Sequence, residues 1–98
     1  MNQTVLVGRL VDMSTVSDDI LDIKLSVTRS YKDKNGEPIE DVIPCRLVGG
    51  IATNTNEYCT NGDIVGIRGS IEEEDGEIFV KADKVTFLAS KSKEEVEK

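Results

Sequence analysis

Between Leu21 and Thr28 the chain reads LDIKLSVT, so that Leu21, Ile23, Leu25 and Val27 alternate with Asp22, Lys24, Ser26 and Thr28. Side chains leave a strand on opposite faces in turn, and a period of two marks a strand buried on one side and wet on the other. The segment therefore requires a sheet with a core beneath it. Upstream, TVLVGRLV is a nearly continuous apolar run broken by Gly8 and Arg9, which suits a strand covered on both faces. MSTVSDD between the two runs reads as a polar turn.

Downstream the same logic continues. Lys34-Asn35-Gly36 contains the Asn-Gly pair of tight hairpins, whose two central residues both need positive φ. From Val42 to Gly49 the positions Ile43, Cys45 and Leu47 form one face, and Val42, Pro44, Arg46 and Val48 form the other. Pro44 has no amide hydrogen for a ladder, so the strand is an edge there or carries a bulge. Gly49-Gly50 ends it, and IATNTNEYC is too rich in Thr and Asn for more than a weak turn or short helix. Asn61-Gly62-Asp63 turns the chain into IVGIRGSI, where Gly66 and Gly69 suggest a coiled strand or a bulge. EEEDGE supplies another hairpin turn, after which Ile78, Val80 and Ala82 alternate with Phe79, Lys81 and Asp83. Five strands with a short helix or turn between the third and fourth predict an all-β fold, a five-stranded Greek-key barrel of the oligonucleotide/oligosaccharide-binding (OB) kind. Periodicity alone also permits another small barrel. The domain is expected over residues 1–88, with residues 89–98 a charged, flexible tail that has little to bury.

Composition narrows the chemistry. The chain has 98 residues, a size that suits one compact domain. It contains no histidine, no Gly-rich phosphate loop and no cysteine-centred nucleophile constellation, so neither an enzyme nor a cofactor is expected. Cys45 and Cys59 lack metal-ligand spacing and read as small buried hydrophobes, reduced in a cytosolic setting. No apolar run approaches the ~20 residues needed to cross a bilayer, and MNQTVLVGRL has no features of a leader, so the expected compartment is the cytoplasm and no membrane partner is expected.

With 12 basic and 19 acidic residues the net charge is −7, which weighs against a generic polyanion binder. Five of those acids fall in EEEDGE and three in the last eight residues, leaving the middle nearly balanced. TRSYKDKNGE, residues 28–37, instead gathers one of the four aromatics with three cations.

VLVGRL, LSVTRSYKDKNGE, IPC, NGDIVGIRGSI and VTFL resemble, in order and at nearly the same spacing, the bacterial single-stranded DNA-binding proteins, over roughly residues 2–88. The resemblance implies an OB-fold barrel that holds single strands on one face by aromatic stacking and backbone cations. It also implies a homodimer or homotetramer, and a place in DNA replication, repair or recombination with protein partners of those processes. Tyr31 then falls at the family's stacking position, with Arg29, Lys32 and Lys34 beside the phosphates; such stacking is worth roughly 1–3 kcal/mol per base. Arg46 and Val48 share the outward face of the third strand, and Phe79 and Lys81 that of the fifth, Phe79 where the family often has tyrosine. Phe79 is almost as readily a core residue. Arg9 is equally a surface ion pair, and Lys24 serves either role.

This chain also departs from the family. Val42 and Val48 stand near positions where other members carry aromatics, the usual long basic hairpin between the last two strands is replaced by EEEDGE, and the family's partner-recruiting C-terminal tip is expected to be absent. The expectation is weak, sequence-independent single-strand binding, with the cations and aromatics gathered in one trough and the carboxylates kept to its rim and to the tail. The alternative is an OB-fold assembly module whose acidic surface meets a basic partner, with little or no affinity for nucleic acid.

Overall fold

A computed structural model describes residues 1–90; the expected flexible tail from residue 91 onward lies outside the described residues. Five strands, β1 (Thr4–Ser17), β2 (Ile20–Lys32), β3 (Pro38–Val48), β4 (Ile64–Glu74) and β5 (Glu77–Ala89), close into a barrel in the order β1-β2-β3-β5-β4. One helix, α1 (Gly50–Tyr58), lies between β3 and β4. The five-stranded OB barrel expected from the strand pattern is the fold observed. No helix among the described residues is long and apolar enough to cross a membrane.

The alternation in β2 places Leu21, Ile23 and Leu25 in the interior, where they meet Leu10, Cys45, Leu47, Val65, Ile67, Val80 and Ala82. Burying an aliphatic side chain of this size stabilises by about 2 kcal/mol, so the wall of β2 is the main apolar contribution of a single strand. β1 is long because it serves two neighbours, pairing with β4 from Thr4 to Arg9 and with β2 from Arg9 to Ser17. The barrel then closes through a short parallel contact, Cys45 with Val80 and Arg46 with Lys81. Pro44 adjoins the point where β3 loses β5 and keeps only β2 beside it. The edge position expected of this proline follows.

The turns differ from expectation in an instructive way. Gly36 has φ 80° but Asn35 is not in the left-handed region, so Asn35-Gly36 does not form the two-residue hairpin turn expected there. Asp33 decides this: its Oδ1 accepts from the amides of Asn35 (2.8 Å) and Glu37 (2.9 Å), and its carbonyl accepts from Gly36 N (3.0 Å). The carboxylate holds a wider turn that only its last residue leaves in the left-handed region. The tight turn instead forms at Asp75-Gly76, with φ of 53° and 83°.

α1 is as weak as its composition suggests. No side chain caps it, and it is held by packing, with Ala52 and Thr55 buried on its barrel side. Beyond Gly69, β4 has outrun β1, and the Asn2 side chain takes the place of a strand. Its Nδ2 donates to Ile71 O (2.7 Å) and its Oδ1 accepts from Ile71 N (2.9 Å).

Candidate nucleic-acid interface

The outward positions of β2, β3 and β5 line up by register. Asp22 stands opposite Arg46, which stands beside Lys81; Lys24 faces Pro44, Ser26 faces Val42, and Ile20 faces Val48. Arg46 is held on this surface by Asp22, with Nε donating to Oδ1 (2.8 Å) and Nη2 to Oδ2 (3.0 Å). Its guanidinium lies 5.7 Å from the centre of the Phe79 ring, and Nη1 is 3.9 Å from Glu74 Oε1. The hydrogen bonds it donates to Asp22, and the charge of that carboxylate, hold the guanidinium even more firmly protonated than usual. Arg46, Val48, Phe79 and Lys81 therefore share one surface.

Beside this row runs an open groove of about 500 Å³ between the outer face of β2 and β3 and the tip of the β4–β5 hairpin. Its charged lining is Asp12, Asp22, Glu74, Asp75 and Glu77 against Lys24 and Arg46. This corrects the expectation that carboxylates keep to the rim. The hairpin tip curls over the sheet and carries its acids into the trough, while Asp22 enters it as the register partner of Arg46. Sequence reasoning had passed over Asp12, Asp22 and Glu74. The outward parity of Asp22 and its match to Arg46 become readable only once the β2–β3 register is known.

Tyr31 and Arg29 occupy a second place. Arg29 Nε donates to Asp41 Oδ2 (2.8 Å), Nη2 to Oδ1 (2.9 Å) and Nη1 to the Tyr31 hydroxyl (3.0 Å), and the guanidinium sits 5.9 Å from the Tyr31 ring centre. The bond to Arg29 holds the Asp41 carboxyl below the usual carboxylate range, and the same bond holds Arg29 above its own. Asp41 pairs with Val27, so this cluster projects from the face of the ribbon that continues the barrel interior, opposite to the face of Lys24, Val42 and Arg46. Tyr31 is 59% exposed. Lys32 pairs with Pro38, and Lys34 lies in the turn. Pro38 and Arg46 are eight residues apart on β3, roughly 26 Å of strand. Of the eight residues singled out from the sequence, Arg29 and Tyr31 thus lie on the face opposite to Arg46, Val48, Phe79 and Lys81, while Lys32 shares the Arg46 face far along the ribbon and Lys34 sits in the turn.

The cations divide by type as well. Arg29, Arg46 and Arg68 are each paired with a carboxylate, Arg68 through Asp83 (2.7 Å). Lys24, Lys32, Lys34 and Lys81 form no ion pair among the described residues. Among the described residues no group of acids, cysteines or histidines could hold a metal ion.

A closed five-stranded barrel with a short helix after β3, and a surface of paired strands flanked by two hairpins, defines an OB-fold protein. Within that class the chain belongs to the single-strand binding protein family, whose pattern its residues 1–85 match. It is 34% identical to single-stranded DNA-binding protein B of Bacillus subtilis, with 95% of each chain covered. It is 30% identical to the single-stranded DNA-binding protein of Staphylococcus epidermidis, over 95% of this chain and 80% of that one. Among solved structures, PriB of Ralstonia solanacearum shares the fold with a TM-score of 0.73 at 15% identity, over 90% of this chain and 99% of that chain. A deletion variant of the Thermus aquaticus single-stranded DNA-binding protein has a TM-score of 0.68 at 27% identity. That match covers 90% of this chain and 50% of the Thermus one.

Proposed function

We propose that the protein binds single-stranded DNA weakly and without sequence preference, as part of replication, repair or recombination. Membership of the single-strand binding protein family is the observation that carries this reading. The exposed Tyr31 ring, available for stacking, and the unpaired ammonium groups of Lys32 and Lys34 support it on the β2–β3 hairpin, as do Lys24 and Lys81 on the barrel face. Arg29 and Arg46 contribute less than their charge suggests because carboxylates already occupy them. Val48 and Phe79 add apolar contact beside Lys81. Affinity is low because the groove carries more negative than positive charge, and a phosphate backbone within about 10 Å of it is repelled at ordinary salt. No catalytic role is proposed.

Fluorescence polarisation of a labelled oligothymidine at low and moderate salt tests the reading. Binding that weakens steeply with salt is expected. No binding at low salt up to about 0.1 mM protein, the weak end of non-specific affinities, refutes it. The five groove carboxylates favour a second reading, a docking face for a basic protein segment, and that reading stands if DNA binding fails.

The protein is also proposed to assemble as a homodimer or homotetramer. Among the described residues, Thr4 to Gly8 pair with β4 alone, which leaves one edge of β1 open there, and Val5 (69% exposed) and Val7 (55%) point outward beside it. An open edge next to aliphatic side chains suits a symmetric partner. Light scattering that reports only 10.8 kDa at tens of micromolar would refute assembly.

A further inference from the structure

We propose that Glu74, at the tip of the β4–β5 hairpin, is an internal competitor for phosphate at Arg46 and sets a low ceiling on the affinity of the barrel face. The inference rests on the single-strand-binding reading and deepens it by naming the residue that limits binding at this surface.

The guanidinium of Arg46 has two usable edges. Asp22 fills the one formed by Nε and Nη2 with a bidentate pair, leaving Nη1 as the side from which a second anion can approach. Glu74 Oε1 stands on that side, 3.9 Å from Nη1. The hairpin is built to put it there. Asp75 and Gly76, both at positive φ, make the tightest possible reversal, so Glu74 and Glu77 are the last pair of the ladder. Two residues back along each strand, on the same face, Glu72 pairs with Phe79. The Phe79 ring packs against the Arg46 guanidinium, which anchors this face of the hairpin over the groove. Glu73, by contrast, pairs with Ile78 on the other face and does not line the groove.

Glu74 is 66% exposed, so its carboxylate moves aside at little conformational cost, but a phosphate that takes its place meets Asp22 already paired and Asp75 and Glu77 close by. Arg46 is thus presented and screened by the same structure. Asp22 acts as a positioning residue, and Glu74 occupies the site that a phosphate oxygen would take.

The neighbouring glutamates give the test its control. Glu74→Gln and Glu73→Gln change the net charge equally, four ångströms of backbone apart on the order of one residue, but on opposite faces. In oligothymidine titrations of the full chain, Glu74→Gln is expected to tighten binding roughly two- to fivefold, the scale of one exposed ion pair. It is also expected to steepen the slope of log K against log salt by about 0.7, one additional phosphate contact on a single strand. Glu73→Gln is expected to change affinity by less than about 1.5-fold and to leave the slope unchanged. In an Arg46→Met background the gain from Glu74→Gln should shrink to that of Glu73→Gln. If the native protein binds and the two glutamine variants behave alike, the competitor role is overturned while single-strand binding survives. If neither the native chain nor any variant binds at low salt, both are overturned.

Discussion

The β2–β3 and β4–β5 hairpins both outrun the barrel wall, and each turns through a glycine at positive φ, but they differ in charge: between Arg29 and Asp41 the first sets three cations among four carboxylates, whereas the second is acidic throughout. The first holds Arg29, Lys32 and Lys34 with an exposed Tyr31; the second holds five carboxylates between Glu72 and Glu77 and no cation. Their backbones follow from the same requirements of alternation and turn chemistry, so the fold does not choose between them as ligand contacts. Charge does. The contrast also extends to how each cation is held: the arginine on the first hairpin is clamped by Asp41 from its own ribbon, whereas Arg46 on the wall is reached by Glu74 from the other hairpin. On the function proposed above, an OB barrel keeps the architecture of a single-strand binder while one of its two arms works against the ligand.

The largest expected effect concerns the root of the acidic arm. At Gly69 the β4–β5 register shifts, and a Cβ there would lie 2.1 Å from Lys81 O and 2.8 Å from Lys81 C, so a side chain forces the two strands apart. Gly69→Ala is expected to destabilise the barrel by about 3 kcal/mol, the upper range for overpacking against backbone. Gly66, on the same strand, meets nothing closer than 3.9 Å, and Gly66→Ala should stay within about 0.5 kcal/mol. Urea midpoints of the two variants check this. Equal midpoints would mean that the acidic arm is not pinned where it leaves the wall.

Next in size is the ligand contact proposed for the cation-bearing β2–β3 arm. Tyr31→Ala should weaken oligothymidine binding by about 1–2 kcal/mol, a stacked base's worth, and Phe79→Ala by less because that ring is half-buried whereas Tyr31 is exposed. Reversing Lys32 and Lys34 to glutamate should flatten the salt slope by roughly 1.4, two phosphate contacts on a single strand. A larger loss from Phe79→Ala than from Tyr31→Ala would move the site from the arm to the groove.

Much of this is legible in the sequence. Alternation in LDIKLSVT defines the core face of β2, Pro44 marks where β3 has an open side, and of the two glycines that suggest a coil or bulge in β4, Gly69 stands at the pinch while Gly66 has open space around it. Each of these signals is local, and local chemistry determines it. The turn at Asn35-Gly36 was misjudged because a third residue, Asp33, intervenes through its side chain, and dipeptide rules do not weigh such a competitor. The candidate site was less legible for a related reason. Parity places Arg46 and Lys81 outward, but that Asp22 clamps Arg46 and Glu74 reaches it depends on pairing across 24 and 28 residues of chain, and on the curl of a hairpin, neither of which sequence spacing encodes. The separation of Tyr31 from Arg46 onto opposite faces likewise follows from the parity of two strands taken together.

A smaller effect separates the wall from its surroundings. Burial pushes the Cys45 thiol up to about 11, whereas Cys59 is half-buried, its thiol also raised by burial and then by the charge of Asp63. The thiolate is the reactive form, so at pH 8 a disulfide reagent should titrate Cys59 first and reach Cys45 only at the rate of global unfolding. Simultaneous reaction of both thiols in native buffer would show that the wall between the arms opens readily.

The smallest effect is the pH response of the β2–β3 arm. Asp41 ionises below the usual carboxylate range because Arg29 donates to it, and a carboxylate whose folded value is depressed stabilises the fold above its unfolded value and loses that contribution as pH falls through the folded one. The clamp on Arg29 should thus be intact at neutral pH and weaken only in acid, below about pH 4, where an unfolded aspartate would begin to protonate. Because both partners are solvent-exposed, the loss should be local, loosening the hold on Arg29 and Tyr31 without melting the barrel. An NMR titration of the Asp41 carboxyl should therefore give a midpoint below that of an ordinary aspartate, and Arg29→Met should return it to the ordinary range. An unchanged midpoint in that variant would mean that Arg29 is not clamped in solution. Arg29 would then be as available to a phosphate as Lys32 and Lys34, and the distinction between paired arginines and free lysines would fail on the arm where it matters most.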